Sequence, residues 1–189
     1  DAAQIVRELR SVHDSGYKSP QERAREVWDA HATAFDELQV GYSDQLAFDA
    51  ELLRAVLDVG NLNVTLWLAD GHGRIARWAS QDRRYRSVAS LQRVDSGHDS
   101  GWVAGRALGS ETLLFQNLKP GEARRWSTVL AVPVAVEHSG LPKFVSAVVS
   151  VGLPGSAEDY GQAESPWLDT ILDLANDWGV RLSNLLTDL

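Results

Sequence analysis

The residues able to do chemistry in this chain are few and scattered. Five histidines, His13, His31, His72, His98 and His138, are spread over 189 residues. No two stand at a metal-ligand spacing such as HxxxH, which argues against a zinc site. One proximal histidine is enough to ligate haem iron, and His98, in a polar loop, and His138, in a turn, are the ones placed for it. Exposure in a loop accounts for both more simply. Cysteine is absent, which removes disulfides, thiolate zinc sites, thiol catalysis and thioether-linked chromophores together. Its absence also fits a reducing, cytoplasmic interior. Asp95 and Asp99 in DSGHDSG have the side chains for acid/base work or cation binding, but the loop's Ser/Gly/Asp composition explains them at less cost. Ser100-Gly101 lacks the G-x-S-x-G elbow, and His98 two residues earlier does not complete a triad. SGWVAG and VAGRALG match neither the dinucleotide nor the P-loop fingerprint. With no catalytic constellation, the chain is predicted not to be an enzyme, and no catalytic or metal residue is assigned.

Charge is informative in its distribution. The chain carries 18 basic and 26 acidic residues, a net charge of −8. That argues against nucleic acid and anionic membrane as general partners. Ten of the basic residues (Arg74, Arg77, Arg83, Arg84, Arg86, Arg93, Arg106, Lys119, Arg124 and Arg125) fall within 74–125, with only Asp82, Asp95, Asp99, Glu111 and Glu122 against them. The middle is therefore +5 and the flanks together −13, an asymmetry that marks either an anion site or a set of solvated loops. An apolar fraction of 44% over 189 residues suits one domain with extensions. No run approaches 18 apolar residues and no signal-peptide core is present, so a soluble chain is expected. Its start at Asp1 rather than a methionine is what a trimmed piece of a longer protein would show.

The elements that would position these residues follow from periodicity. Ile5, Leu9 and Val12 mark a helix over 2–13. Ser19-Pro20 opens a second, 20–39, carrying Trp28, His31, Phe35 and Leu38, and Gly41 is expected to end it. A third, 44–59, should bury Leu46, Leu53, Val56 and Leu57 and stop at Gly60-Asn61. Leu62, Val64, Leu66 and Leu68 alternate with Asn63, Thr65 and Trp67 as a half-buried strand. DGHG turns the chain into a second arm, 74–80. Residues 81–99 read as a long polar loop with a short helix near Ser87–Leu91. A short helix from Ser100 to Ala107, ended by Gly109, then a strand 111–115, a polar loop, and strands 127–136 and 143–152 complete the sheet. Pro133 implies an edge or a bulge in the first of that last pair.

The closing helix, about 165–188, has the sharpest pattern. Leu168, Ile171, Ala175, Trp178, Leu182, Leu185 and Leu189 recur at spacings of 3 and 4, a 3.5-residue repeat that makes a lengthwise seam. Leu168, Ile171, Ala175, Trp178, Leu182 and Leu185 are therefore the expected dimer interface, the alternative being that the same stripe packs on the chain's own sheet. Gly179 inside this helix is expected to weaken it by up to ~1 kcal/mol relative to alanine.

GWVAGRALGSETLLFQNL followed by STVLAVPVAVEHSGLPKFVSAVVSVG resembles the GAF domain family. Its pattern is a glycine-flanked short helix, an apolar strand, then a Val-Pro-bearing strand, here with Leu130, Val132 and Pro133, and a returning strand. The resemblance covers about 44–188, with PAS as the structural rival. It divides the chain into a helical extension, 1–43, and a GAF-like domain, 44–189. It implies an α+β fold: a GAF/PAS-like antiparallel sheet of five main strands in the order 2-1-5-4-3, with N-terminal helices and a long C-terminal helix on one face. The other face, roofed by the middle loops, would form a ligand pocket.

Carried onto this sequence, that pocket draws on Trp78, Tyr85, Trp102, Arg106, Phe115, Arg125, Trp126 and Ser127 as candidate ligand-binding residues. Aromatic walls with a few polar groups suit a small molecule, and arginine clamps carboxylate or phosphate. Bilin attachment and the family's methionine-sulfoxide reductase branch both need cysteine, and the Asn-Lys-Phe-Asp-Glu signature of cyclic-nucleotide binders is missing. Haem, an unidentified small molecule, or no ligand remain, and no cofactor is assigned. The expected function is a cytoplasmic, non-enzymatic sensory or regulatory domain, a homodimer that signals to a regulatory partner protein, with neither nucleic acid nor membrane as partner. The rival is a pocketless GAF-like scaffold for protein–protein contacts.

Overall fold

The computed structural model describes residues 20–69, 73–82, 92–119, 125–136, 144–161 and 166–188; for 20–38, 144, 166 and 185–188 it describes the backbone alone. The predicted helices over 2–13 and near Ser87–Leu91 lie outside the described residues. In chain order the elements are α1 (Pro20–Leu57), β1 (Asn63–Ala69), β2 (Arg74–Ser80), β3 (Arg93–Asp95), α2 (Val103–Ser110), β4 (Leu114–Asn117), β5 (Thr128–Val136), β6 (Phe144–Leu153), a 3-10 turn (Ala157–Tyr160) and α3 (Pro166–Asp188).

The two helices expected over 20–39 and 44–59 are one, so α1 also runs across the expected 43/44 domain boundary. Gln39, Ser43, Leu46, Ala50 and Leu53 are all buried, a stripe with spacings of 4, 3, 4 and 3 that passes straight through Gly41. Burial of that stripe outweighs the ~1 kcal/mol a helical glycine costs. The helix stops where Asp58 turns left-handed at φ 51° and the Val59 N–H reaches back to the Arg54 carbonyl (3.2 Å), a Schellman closure ahead of the expected Gly60-Asn61 stop. Val56, expected in the core, is exposed.

All strands pair antiparallel in the order β3-β2-β1-β6-β5-β4. This corrects the expected five-stranded order: the stretch taken as a loop supplies a sixth strand, β3, whose Val94 pairs with Ile75 and is buried. β4 pairs with β5 only as far as Ala131, so Pro133, opposite Val148 of β6, stands past the end of that ladder, at an edge as expected, where its missing N–H is not called on. A register shift between Val134 and Ala135 leaves Ser146 of β6 as an extra residue.

The sheet separates two apolar clusters, and alternation along each strand decides membership. On one face Val64, Leu66 and Leu68 of β1, Leu130, Val132 and Val134 of β5, and Val149 and Val151 of β6 meet α1 and α3. On the other, Trp67, Ile75, Val94, Ala131 and Val148 meet Val103, Ala104 and Ala107 of α2.

The helix-side packing is close. A Cβ on Gly179 would sit 2.6 Å from the Ala135 carbonyl oxygen. The glycine expected to weaken α3 is thus what lets its backbone lie on β5. Tyr42 is lodged between Trp78 (centroids 5.0 Å) and Trp178 (5.3 Å), and the Trp178 indole N–H donates to buried Asp49 (3.1 Å). A second register shift, between Leu66 and Trp67, makes Trp78 the extra residue of a bulge in β2. The Gln39 amide donates to the Trp78 carbonyl (2.6 Å), and the Ser80 N–H donates to the Ser43 hydroxyl (3.3 Å), so α1 satisfies the backbone that the bulge displaces.

Candidate functional site

The face away from α1 and α3 is not filled. Between α2 and the sheet lies a cavity of ≈ 350 Å³, at the small end of the ~300–1,000 Å³ usual for ligand pockets. Its floor is the polar phase of the alternation: Asn63, Thr65 and Trp67 from β1, Ser150 and Gly152 from β6, and Val129 from β5. Arg77 of β2 and Asp82 just beyond it form one wall. Gly101 to Ala104, at the start of α2, close the top, and Leu118, Arg125 and Trp126 close the far side.

Its side chains are held by one another. The Trp67 indole N–H donates to the Ser150 hydroxyl (2.8 Å). The Arg77 guanidinium lies over the Trp67 ring, 5.2 Å from its centroid, and Trp102 meets Trp67 at 5.8 Å with the rings tilted by 56°. Asn63 donates to the Thr65 hydroxyl (2.9 Å). Across the mouth Arg125 pairs with Asp82 (3.3 Å) and covers Trp126 at 5.1 Å. Trp126 is pressed to the floor at Gly152, where an added Cβ would fall 2.6 Å from Cδ1 and Cγ of the ring. Only a residue without a side chain lets the indole lie there.

Three of the eight sequence candidates come together in this cavity: Trp102, Arg125 and Trp126. Four do not. Trp78 is fully buried on the opposite face, because the bulge gives β2 two consecutive residues, Trp78 and Ala79, in the helix-side cluster. Phe115 packs against Trp167 (5.4 Å) and Tyr160 (6.3 Å) on that same side; its neighbour Leu114 takes the other phase. Arg106 is spent locally, donating to the Ser100 carbonyl (2.6 Å) and to Gln116 (2.9 Å). Ser127 has an exposed side chain, and its backbone joins Leu118 and Leu153. Tyr85 lies outside the described residues.

Sequence reasoning missed Trp67 and Arg77, and with them the floor. The signal was present: Asn63, Thr65 and Trp67, then Ser150 and Gly152, are the alternate positions of strands whose other phase is Leu and Val.

The expected dimer seam also has another position. Ile171, Ala175, Trp178 and Leu182 are buried in the chain's own core, Trp178 to 1% exposure, and half-buried Leu168 packs on it; the Leu185 side chain lies outside the described residues. Their 3.5-residue spacing is that of a helix seated along β5 and α1. Among the described residues no group of three or more His, Cys, Asp or Glu could hold a metal ion. Among the described residues that line the cavity none is a histidine, and His98 is exposed outside it, so the described lining offers no haem ligand.

An antiparallel sheet with its terminal helices on one face and a short helix roofing the other defines a GAF-like α+β fold. Comparison with known proteins agrees at that level. Among solved structures the chain is similar to the A. aeolicus nlh2 GAF domain in an inactive state, with a TM-score of 0.50 and 13% identity over 84% of this chain and 97% of that one. At that identity the likeness shows the fold alone. No protein-family model matches the chain, and no curated protein matches it. No described helix is long and apolar enough to cross a membrane.

Proposed function

We propose that this chain is a non-enzymatic GAF-type sensory or regulatory domain that binds a small molecule between α2 and the sheet, and that pairs with a second copy through its helical layer to signal to a regulatory partner. The observation that carries the reading is the ≈ 350 Å³ cavity walled by Trp67, Trp102 and Trp126 with Arg77 and Arg125. Apolar walls with a few fixed polar groups are the composition of a recognition site, and among the described residues that line it no nucleophile–base pair accompanies them. The cysteine-free sequence supports a cytoplasmic setting.

The pairing surface is argued from different residues than the heptad stripe. Phe48, Leu52 and Val56 stand at i, i+4 and i+8 on the outward side of α1, and Leu172 and Val180 on the outward side of α3; all five are exposed, Phe48 to 69%. A row of large apolar residues on solvent is the signature of a contact surface.

The rival scaffold reading draws on one observation, Trp126 lying flat on Gly152 as a partial plug; the space that remains beside that ring weighs against it. Native mass spectrometry of the protein purified from its own host is the test. A bound small molecule supports the sensor, and repeated absence of one favours the scaffold. Light scattering tests the pairing: a dimer that Phe48→Asp converts to monomer is expected, and a strict monomer unchanged by that substitution would sink it.

A further inference from the structure

We propose that Thr65 and Ser150, side by side on the cavity floor, form a two-hydroxyl donor site, and that the ligand is a carbonyl compound whose oxygen sits between them. The inference rests on the reading of the cavity as a ligand site and adds the residues that orient the ligand and the group they hold.

An indole N–H can only donate. In the 2.8 Å bond from Trp67 to Ser150 the serine oxygen is therefore the acceptor, and its own proton is left for another partner. The Asn63 amide nitrogen in the same way donates to the Thr65 oxygen at 2.9 Å, which leaves the Thr65 proton. Among the described residues neither proton meets an acceptor. Both side chains are deep, Thr65 at 2% and Ser150 at 8% exposure, and both line the cavity. A buried donor without an acceptor is costly, so two of them on one space mark where an occupant accepts.

Register puts the two together. Thr65 of β1 is paired with Ser150 of β6, and directly opposite residues on one sheet face hold their Cβ atoms about 4.5–5.5 Å apart. One oxygen accepting an O–H···O bond of about 2.7–2.8 Å from each side spans that distance. A carbonyl oxygen has two lone pairs and no proton, so it satisfies both hydroxyls at once. A hydrocarbon edge satisfies neither. An ammonium group brings donors to donors, and an alcohol adds a proton of its own at the same point.

The pair is also linked to a wall of the cavity. When Ser150 donates to a ligand, its oxygen becomes a better acceptor for the Trp67 N–H. A bound carbonyl would thus tighten the bond that fixes the Trp67 ring, which meets Trp102 at 5.8 Å. The Trp67 N–H is therefore a reporter on the same chain of hydrogen bonds as the ligand.

Titration of the isotope-labelled whole chain, followed by NMR, tests this with three matched pairs, each a ketone and its exo-methylene isostere: acetophenone and α-methylstyrene, 1-indanone and 1-methyleneindane, cyclohexanone and methylenecyclohexane. The isostere leaves water more readily, so in the parent chain a ketone that binds at least as tightly as its isostere is the expected result. The Trp67 indole proton, identified by its loss in Trp67→Phe, should move downfield further with the ketone. Thr65→Val and Ser150→Ala should each shift the ketone-to-isostere affinity ratio about fivefold to tenfold toward the isostere. A damaged fold weakens both members alike and leaves that ratio alone, and the parent chain's own ratio then decides. Tighter binding of every isostere by the parent chain overturns the proposal, as does a ratio that neither substitution moves; in both cases the site reading stands and only the floor's role is wrong. If none of the six compounds saturates, the carbonyl assignment is overturned, and the mass bound to host-purified protein then shows whether the site reading falls with it.

Discussion

One sheet serves two regions that obey opposite rules. On its helix side, Val64, Leu66, Val149, Val151 and Leu130 join described side chains of α1 and α3 in one buried apolar cluster. On its other side the neighbouring residues of the same strands, Thr65, Trp67, Ser150 and Gly152, meet only an eight-residue helix and the chain's loops, and a cavity is left. Protein interiors pack like organic crystals, so a gap walled by large rings and fixed guanidiniums is a property of the sequence placed there. The difference assigns a task to each face. The helix side holds the fold, and the cavity side is where composition is free to follow a ligand.

Truncating a tryptophan on each face should break or sharpen that contrast most strongly. Trp178→Ala should cost about 3–5 kcal/mol of stability in chemical denaturation and leave the Asp49 carboxylate without its indole donor. Trp102→Ala, at the half-exposed roof, should cost about 1 kcal/mol or less and remove ligand binding instead. Similar losses from both would dissolve the distinction.

Glycines give a sharper version. Gly179→Ala should destabilise by about 1–3 kcal/mol, because its Cβ meets the Ala135 carbonyl. Gly41→Ala, also in a helix but with nothing within 4 Å of the added atom, should stabilise by up to about 1 kcal/mol. Thermal melts of the two variants should therefore move in opposite directions.

Gly152→Ala carries the same test to the cavity. It should lift Trp126 off the floor, costing ligand affinity about tenfold with a smaller change in melting temperature than Gly179→Ala.

The smallest effect is one of pH. Burial raises the Tyr42 phenol above its ordinary value of 10.0, with the positive charge of Arg181 opposing. Because the folded value is the higher one, its contribution to stability is complete below pH 10 and is lost as pH rises from there through the folded value. Denaturation midpoints followed above pH 10 should fall less steeply in Tyr42→Phe than in the parent.

Much of this was legible in the residues. The alternation in LNVTLWLA and KFVSAVVSVG gave two central strands, and the stripe from Leu168 to Leu182 gave α3, because burial on one side of a regular element leaves its period in the sequence. What that stripe packed against was not legible: a seam along a partner helix and a seat along β5 ask for the same residues. Gly41 was misread because propensity is local, whereas the burial of Gln39, Ser43 and Leu46 that carries the helix through it depends on β2 and its bulge. Of the site, Trp102, Arg125 and Trp126 could be placed from their segments. Trp78 and Phe115 could not, since each belongs to one face or the other by a single-residue shift of phase. Trp67 and Arg77 went unnoticed because the polar phase of a strand reads as a solvent face until something covers it.

The bulge at Trp78 has a consequence for how this gene can change length. Deleting one residue from a strand ordinarily turns half of its side chains inside out. Here Ala79 already pairs with Leu66, and Arg77 with Trp67. Loss of Trp78 alone would leave all of those pairings in place and restore an unbroken ladder, at the cost of one large core side chain and of the carbonyl that Gln39 holds. Within β2 the bulge, Trp78 with Ala79, is thus a place where one codon can be lost without shuffling the cavity wall.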